Sequence, residues 1–123
     1  MAVIIRTLET KSLDSADEVR TLPKTKVEVC RLEDHTLMRA TFEPGWKWSE
    51  CVKPQVGTTT CEIQHLGYCL SGQMKVKMND GKELLVKPGD FVVIPPGHDA
   101  WVMGNEPTVM LDFVGGATYG KRI

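Results

Sequence analysis

The chain has 123 residues and a formal net charge of −1, from 15 basic and 16 acidic side chains. This balance argues against binding to nucleic acid or to an anionic membrane through a basic surface. The length suits one domain with a single core. No apolar stretch is long enough to span a membrane, and the N-terminal apolar segment is too short for a secretory signal. We therefore expect a cytoplasmic protein whose four cysteines are free thiols.

Residues 1–24 are predicted to form an arm outside the main fold. Residues 12–20 contain capping and early acidic residues that favour one helical turn or a short helix. The apolar tripeptide Val3-Ile4-Ile5 is easier to explain if it adds a strand to a sheet edge, in the same chain or in a second copy. We therefore expect a homodimer, and a loosely ordered terminus is the alternative.

From residue 27 onwards the sequence predicts strands separated by short turns. Apolar and polar residues alternate within several segments, and Asn79-Asp80-Gly81 is a strong hairpin signal. The predicted strands cover residues 27–32, 36–42, 61–70, 73–78, 83–87, 91–94, 98–103 and 108–114. Turns recur at roughly the 8–12-residue spacing that is typical of a β-sandwich or barrel, so the chain is predicted to be all-β.

A tryptophan pair and a loop follow the second of these strands. Trp46 and Trp48 lie two residues apart, which places both indoles on one face of an extended segment. They serve either as core packing or as a stacking surface for a ligand. Residues 49–60 contain Pro54 and Gly57 and are predicted to form a loop over the barrel mouth, where function is often found.

Residues 87–101 read as turn, strand, turn, strand. Pro95 and Pro96 remove two backbone donors in a row, and Gly97 accepts a positive φ, so the strand over residues 91–94 must end there. His98 follows this rigid turn directly, so its position is constrained. It is either a site residue or an ordinary turn residue bonded to its neighbour or to water.

Glycine and proline residues carry a resemblance to the cupin family. Three residues match the second cupin motif, Gly-x5-Pro-x-Gly-x2-His, and two fit the outer glycines of the first, Gly-x5-His-x-His, a spacer, Glu-x6-Gly. In chain order, they are Gly45, Gly72, Gly89, Pro95 and Gly97. The resemblance covers residues 40–115. It implies an all-β double-stranded β-helix, the cupin jelly-roll barrel, with an arm over residues 1–24, the barrel over 25–116 and a tail over 117–123.

The resemblance also implies where metal ligands would lie. Counting from Gly45 and Gly72 places Cys51, Lys53 and His65 at three ligand slots, and the fourth is occupied by Ala100. His98 lies two residues before that vacant slot. Cysteine and histidine bind zinc, nickel, iron or copper. We therefore expect any bound divalent transition metal to use Cys51, His65 and His98, with zinc or nickel favoured over iron. Alternatively, Cys51 and His65 are simply packed in the core.

The other site residues are assigned by the same comparison. Lys53 and the three tryptophans, Trp46, Trp48 and Trp101, are predicted to contact a small-molecule ligand. Cys61 is less favoured as a ligand beside His65, because four residues of strand separate them by roughly 13 Å unless the strand breaks. Cys30 and Cys69 fit strand interiors as small buried hydrophobic residues.

Three functions follow from this reading. The first is a small-molecule-binding cupin of unassigned specific activity, with or without a bound metal. The second is a metal-dependent cupin enzyme of isomerase, lyase or oxygenase type, acting on a small polar metabolite such as a keto acid or sugar derivative. The third is a structural or sensory cupin with a degenerate site. The fold alone cannot choose among them, because cupins support many unrelated chemistries.

Overall fold

The computed structural model describes residues 4–121 and is built mainly from β-strands. The strands are β1 (Glu18–Leu22), β2 (Thr25–Leu32), β3 (His35–Phe42), β4 (His65–Ser71), β5 (Gln73–Met78), β6 (Glu83–Val86), β7 (Phe91–Ile94), β8 (His98–Met103) and β9 (Thr108–Asp112). A 3-10 turn at Leu13–Ser15 precedes β1, and two short helices, α1 (Trp48–Cys51) and α2 (Lys53–Val56), lie between β3 and β4.

The strands form two antiparallel sheets. The larger sheet has the order β1-β2-β3-β9-β4-β7, and the smaller sheet has the order β6-β5-β8. Chain neighbours such as β4 and β5 lie in different sheets, while β9 inserts between β3 and β4. This interleaving is that of a jelly-roll barrel, so the predicted double-stranded β-helix is confirmed.

Strand alternation places one set of side chains between the two sheets. In the larger sheet, Val27 and Val29 of β2 and Met38 of β3 are almost fully buried. Met74 and Val76 of β5 meet them from the smaller sheet. Since successive strand residues point to opposite faces, this one pattern defines the barrel interior and its solvent side.

Gly72, the last glycine of the first motif, allows two strands to approach closely. It lies between β4 and β5 with a φ of +74°. A Cβ atom at this position would lie 2.3 Å from the carbonyl oxygen of Pro107 and 2.6 Å from the Cα of Thr108. Only glycine satisfies both the backbone angle and the contact, so this position holds the end of β4 against the start of β9.

Two segments differ from their predicted local structure, and a third forms the shorter of two predicted alternatives. Of the single turn or short helix predicted over residues 12–20, the structure has one 3-10 turn, in which the Ser12 hydroxyl accepts a hydrogen bond from the Asp14 N–H at 3.1 Å. The loop predicted over residues 49–60 contains α1 and α2. The strand predicted over residues 61–70 begins only at His65.

The N-terminal segment is partly integrated into the barrel. Residues 1–24 were assigned to an arm, but β1 lies within them and pairs antiparallel with β2. Ile4 and Ile5 are 60% and 71% exposed and belong to no strand. Val3, the remaining member of the apolar tripeptide, lies outside the described residues. In the described part of the chain, no helix is both long and apolar enough to cross a membrane.

The C-terminal tail folds back onto the barrel. The Arg20 guanidinium donates hydrogen bonds to the carbonyl oxygens of Tyr119 at 2.6 Å and Ala117 at 3.1 Å. Glu18 and Lys121 add an ion pair at 3.4 Å. The Tyr119 side chain is buried in the core as a result. The segment predicted as a plain tail therefore closes one end of the barrel.

Candidate metal centre and adjoining cavity

Cys61, His65 and His98 come together at one end of the barrel. One ligand atom from each residue lies within 4.8 Å of the others. His65 opens β4 and His98 opens β8, while Cys61 pairs with His98 in an isolated antiparallel bridge. The Cys61 N–H donates to the His98 carbonyl at 2.8 Å. The backbone itself therefore fixes the thiol beside one of the two imidazoles.

The His98 ring is held by the turn that precedes it. Its Nδ1 lies 2.7 Å from the carbonyl oxygen of Pro95. A carbonyl can only accept, so Nδ1 carries the hydrogen and the lone pair of neutral His98 lies on Nε2. Burial lowers the pKa of His98 to about 4, although the bond to Pro95 opposes this shift. His98 is therefore a neutral imidazole near pH 7, as a metal ligand must be.

His65 is oriented by a buried carboxylate. Its Nδ1 lies 2.5 Å from Oδ2 of Asp112, which is 3% exposed. The other carboxylate oxygen, Oδ1, accepts backbone hydrogen bonds from Leu66, Val114 and Gly115. Burial by itself raises the pKa of Asp112, but the interaction with His65, followed by the backbone hydrogen bonds from Gly115 and Val114, outweighs burial and lowers the pKa. An ionised Asp112 fixes the hydrogen of His65 on Nδ1 and leaves Nε2 free, as carboxylates hydrogen-bonded to metal-ligating histidines do.

The Cys61 thiol faces the free nitrogen of His65. Its Sγ lies 3.8 Å from Nε2 of His65. Tetrahedral zinc bonded to one sulfur and one nitrogen would hold these atoms about 3.6 Å apart. Burial raises the pKa of Cys61 to about 12, and the nearby carboxylates of Glu62 and Asp112 add to it. The thiol therefore keeps its proton in the metal-free protein and would lose it on coordination.

A cavity of about 50 Å³ inside the barrel is lined by two of the three residues, His65 and His98. Its walls are mainly apolar side chains, among them Met38, Ala40, Met74, Val92, Ile94 and Met110. Trp46 and Trp48 also line it, and both are 2% exposed. Tyr119 adds a buried phenol, whose pKa is raised well above its usual value by burial and by the neighbouring thiols and carboxylate.

A row of rings runs along this cavity. Trp46 packs on Phe42 with ring centroids 4.1 Å apart, and Phe42 meets the Tyr119 ring edge-on at 6.4 Å. Tyr119 then contacts His65 at 5.5 Å, and His65 contacts His98 at 5.2 Å. The cavity therefore has an aromatic end at Trp46 and an imidazole end at His65 and His98.

The predicted site residues are divided between the cavity and the surface. His65 and His98 lie together, and Trp46 and Trp48 line the cavity. Lys53 lies on an outer groove with Ser49, Thr58 and neighbouring residues. The ring of Trp101 packs beneath the Lys47 ammonium, whose Nζ is 5.6 Å from the ring centroid.

Cys51 lies apart from the ligand group that was predicted for it. It is buried in α1, and among residues 4–121 the metal-ligating group contains Cys61 in its place. The distance argument against Cys61 assumed a strand over residues 61–70, but residues 62–64 are irregular. A signal for Cys61 was available in the motif. Counting back from His65 across a spacer of three residues, rather than forward from Gly45, leads to Cys61.

Two further residues of the site were not singled out from the sequence. Asp112 lies 47 positions from His65, and Tyr119 belongs to the tail. Both reach the centre only through the pairing of β4 with β9 and the folding back of the chain after it. No spacing rule within the two motifs would have found them.

The comparisons with known proteins agree with this architecture. Residues 55–114 match the model of the cupin domain family. A protein of unknown function from Rhizobium leguminosarum bv. viciae 3841 superposes with a TM-score of 0.65 at 17% identity, covering 89% of this chain and 97% of its own. Residues 55–114 therefore match the cupin domain family, and the described chain has the fold of a cupin barrel.

Other solved structures share the fold and differ in their names. Ectoine synthase from P. lautus superposes with a TM-score of 0.65 at 12% identity, covering 92% of this chain and 81% of its own. KdgF from Halomonas sp. superposes with a TM-score of 0.56 at 20% identity, covering 80% of this chain and 87% of its own. At these identities the likeness defines the fold alone. No curated protein sequence matches the chain at a significant level.

Proposed function

We propose that this cupin binds one divalent transition metal through Cys61, His65 and His98 and holds a small molecule in the adjoining cavity. The observation that carries the proposal is the matched orientation of the two imidazoles. Each donates its Nδ1–H to a fixed oxygen, on Asp112 or Pro95, and so keeps Nε2 for a ligand. Metal-ligating histidines almost always donate their other ring N–H to such an oxygen.

The donor set favours zinc or nickel over iron. One thiolate and two imidazoles suit borderline-soft metals. Among the described residues, the group contains no carboxylate, and Asp112 is engaged behind His65 rather than facing Cys61. The two-histidine, one-carboxylate face of non-haem iron oxygenases is therefore not formed at these positions.

A catalytic use of the centre is the second candidate, and the ligand count favours it. Three protein ligands leave tetrahedral zinc with one open position, as in catalytic rather than structural sites. A bound metal would supply Lewis-acid polarisation. The apolar rings of Phe42, Trp46 and Trp48 would keep water from the cavity. Lys53, which was predicted to contact the ligand, lines an outer groove rather than this cavity.

Metal binding is tested by titrating the purified full chain with zinc and with cobalt(II), followed by elemental analysis. We expect one equivalent of metal per chain and, for cobalt, a near-ultraviolet band from the thiolate. Added azide should change the cobalt spectrum if a coordination position is open, and an unchanged spectrum would contradict the catalytic candidate. A chain that takes up neither metal would support the structural or sensory role instead.

We also propose that the protein is a homodimer. The outer face of β4 and β7, here called the β4–β7 face, exposes Tyr68, Leu70, Phe91 and Val93, with Phe91 and Val93 at 70% and 67% exposure. β7 is also an edge strand of the larger sheet. An apolar face beside an unpaired edge is a template for an identical copy about a twofold axis.

Light scattering checks the assembly. The full chain should have twice the mass of one chain, and replacing both Phe91 and Val93 by Lys should give monomers. Leu84→Lys is the matched control, because Leu84 is 42% exposed on the smaller sheet and away from this face. A variant lacking the first ten residues reports on the arm. Monomers at every concentration of the full chain would refute the dimer.

The cysteines support a cytoplasmic location, which stands as a proposal. All four are free and buried. Free thiols are expected in a reducing compartment, where disulfides are rare. Measurement of the protein in fractionated cells would decide the location, and recovery from an oxidising compartment would contradict it.

A further inference from the structure

Two of the three candidate metal ligands are enclosed by the protein. Cys61 and His98 are only 2% and 3% exposed. An outer groove touches the third ligand, His65, but its walls include β4 and β7, which are paired with each other at that point. A metal or a small molecule therefore reaches the site only when another part of the enclosing wall moves.

The C-terminal segment of residues 115–121, here called the lid, forms part of that wall. A small cavity of about 10 Å³ is lined by Cys61 and by residues 118–121 of the lid. Tyr119 of the lid lines this cavity and also the larger one, which is bordered by His65 and His98. Withdrawal of Tyr119 would therefore join the two cavities and open one route to all three candidate ligands.

The lid is held by fewer backbone hydrogen bonds than the strands around it. It belongs to no strand, and within residues 4–121 its backbone–backbone hydrogen bonds run only between its own residues, such as that from the Tyr119 N–H to the Gly115 carbonyl at 3.2 Å. Its first residue is anchored, because the Gly115 N–H donates to Oδ1 of Asp112 at 2.9 Å. A segment without long-range backbone pairing opens at a lower free energy than a paired strand does.

Arg20 of β1 fastens the lid to the barrel. Its guanidinium donates to the carbonyl oxygens of Tyr119 at 2.6 Å and Ala117 at 3.1 Å. Glu18 orients this guanidinium through bonds of 2.6 Å and 3.1 Å. Among residues 4–121, Arg31 bonds to the same Glu18 at 2.7 Å but to no residue of the lid. Because hydrogen bonds from a charged donor are stronger than neutral ones, Arg20 stabilises the closed lid and Arg31 does not.

We propose that the lid is the entrance to the candidate metal centre and that Arg20 sets how often it opens. The closed lid retains the metal and keeps water from it, and the open lid admits the metal and the small molecule. What passes beneath the lid rests on the proposed function, whereas the motion itself depends only on the contacts of this chain. The two parts are therefore tested separately.

The motion is measured by alkylating the native, metal-free full chain with iodoacetamide and mapping the modified cysteines by mass spectrometry. Cys61 should react faster than Cys69, which is fully buried on β4 and becomes exposed only when strand pairing breaks. Arg20→Gln should raise the rate at Cys61 by about tenfold or more, because two hydrogen bonds from a charged donor are lost. Arg20→Lys keeps the charge but not the fork that reaches two carbonyls, so the increase should be smaller.

Arg31→Gln is the matched control, because it removes an arginine from Glu18 without touching the lid. It should leave the rate at Cys61 unchanged. Equal rates at Cys61 and Cys69 would mean that only global unfolding exposes the thiol, and the lid would then be wrong. The same increase in Arg31→Gln as in Arg20→Gln would overturn the role of Arg20.

The entrance is tested with zinc-loaded protein. Arg20→Gln should speed the release of zinc to excess EDTA by a factor comparable to that for alkylation of Cys61, and Arg31→Gln should not. Zinc release that is unchanged in Arg20→Gln would uphold the metal centre and refute the lid as its entrance. A chain that binds no zinc but shows the Arg20-dependent alkylation would uphold the motion of the lid and refute the metal centre.

Discussion

Replacing His65 by alanine should abolish zinc uptake by the full chain, and replacing Cys61 by serine should weaken it by at least about a hundredfold. Each change removes one of three ligands, and two ligands do not hold a divalent metal against water. Isothermal titration calorimetry on metal-free protein, with elemental analysis after dialysis, gives the affinity and the stoichiometry.

Two cysteine variants control for general damage. Cys51→Ser changes a residue that the motif places at a ligand slot but the structure places in α1. Cys30→Ser changes a thiol on β2, whose Sγ donates to the Ser12 carbonyl at 3.4 Å. Both variants should bind zinc as the unaltered chain does. Loss of zinc in Cys51→Ser with retention in Cys61→Ser would mean that the motif count, not the geometry, identifies the ligand.

The barrel could be predicted from the sequence because the glycine and turn residues that end its strands are recognisable locally. Gly72 has a positive φ and lies against Pro107. Because only glycine fits such a position, the glycine in the sequence already indicates a tight turn. Asn79-Asp80-Gly81 likewise indicates the turn between β5 and β6. Alternation in β5 then defines which side chains are buried, since the strand period is two residues.

The candidate site was predictable only in part, because its composition depends on where β4 begins. If the strand had started at Cys61, its thiol would lie roughly 13 Å from His65 along the strand. Because β4 starts at His65, the irregular residues 62–64 bring Sγ within 3.8 Å of Nε2. Strand boundaries are the least reliable part of a sequence-based assignment. Here a shift of four residues in the start of β4 changes the candidate ligand from Cys51 to Cys61.

Long-range pairing accounts for what the sequence could not show. The Asp112 side chain meets His65 because β9 inserts between β3 and β4. Nothing in the local sequence of Thr108–Asp112 distinguishes this carboxylate from a solvated strand end. Its role is set by burial and by the donors that surround it, and these can be tested directly.

Replacing Asp112 by alanine should lower the free energy of unfolding by about 3–5 kcal/mol, because several buried donors lose the carboxylate that accepts from them, at about 1–3 kcal/mol each. The change leaves the Nδ1–H of His65 and the backbone N–H groups of Val114 and Gly115 without their acceptor. Each buried donor left unpaired carries its own desolvation cost. Denaturant unfolding of metal-free protein measures the loss, and a change below about 1 kcal/mol would refute the buried network.

The Asp112→Asn variant separates the effect of Asp112 on the His65 ring from its effect on the stability of the protein. The asparagine oxygen can still accept from the backbone of Val114 and Gly115, so most of the stability should remain. Its amide then presents N–H to Nδ1 of His65, which must become the acceptor. The hydrogen of His65 moves to Nε2 and blocks the metal. Zinc affinity should therefore fall about 10–100-fold in a folded protein. An Asn variant that binds zinc with unchanged affinity would show that Asp112 does not set the tautomer of His65.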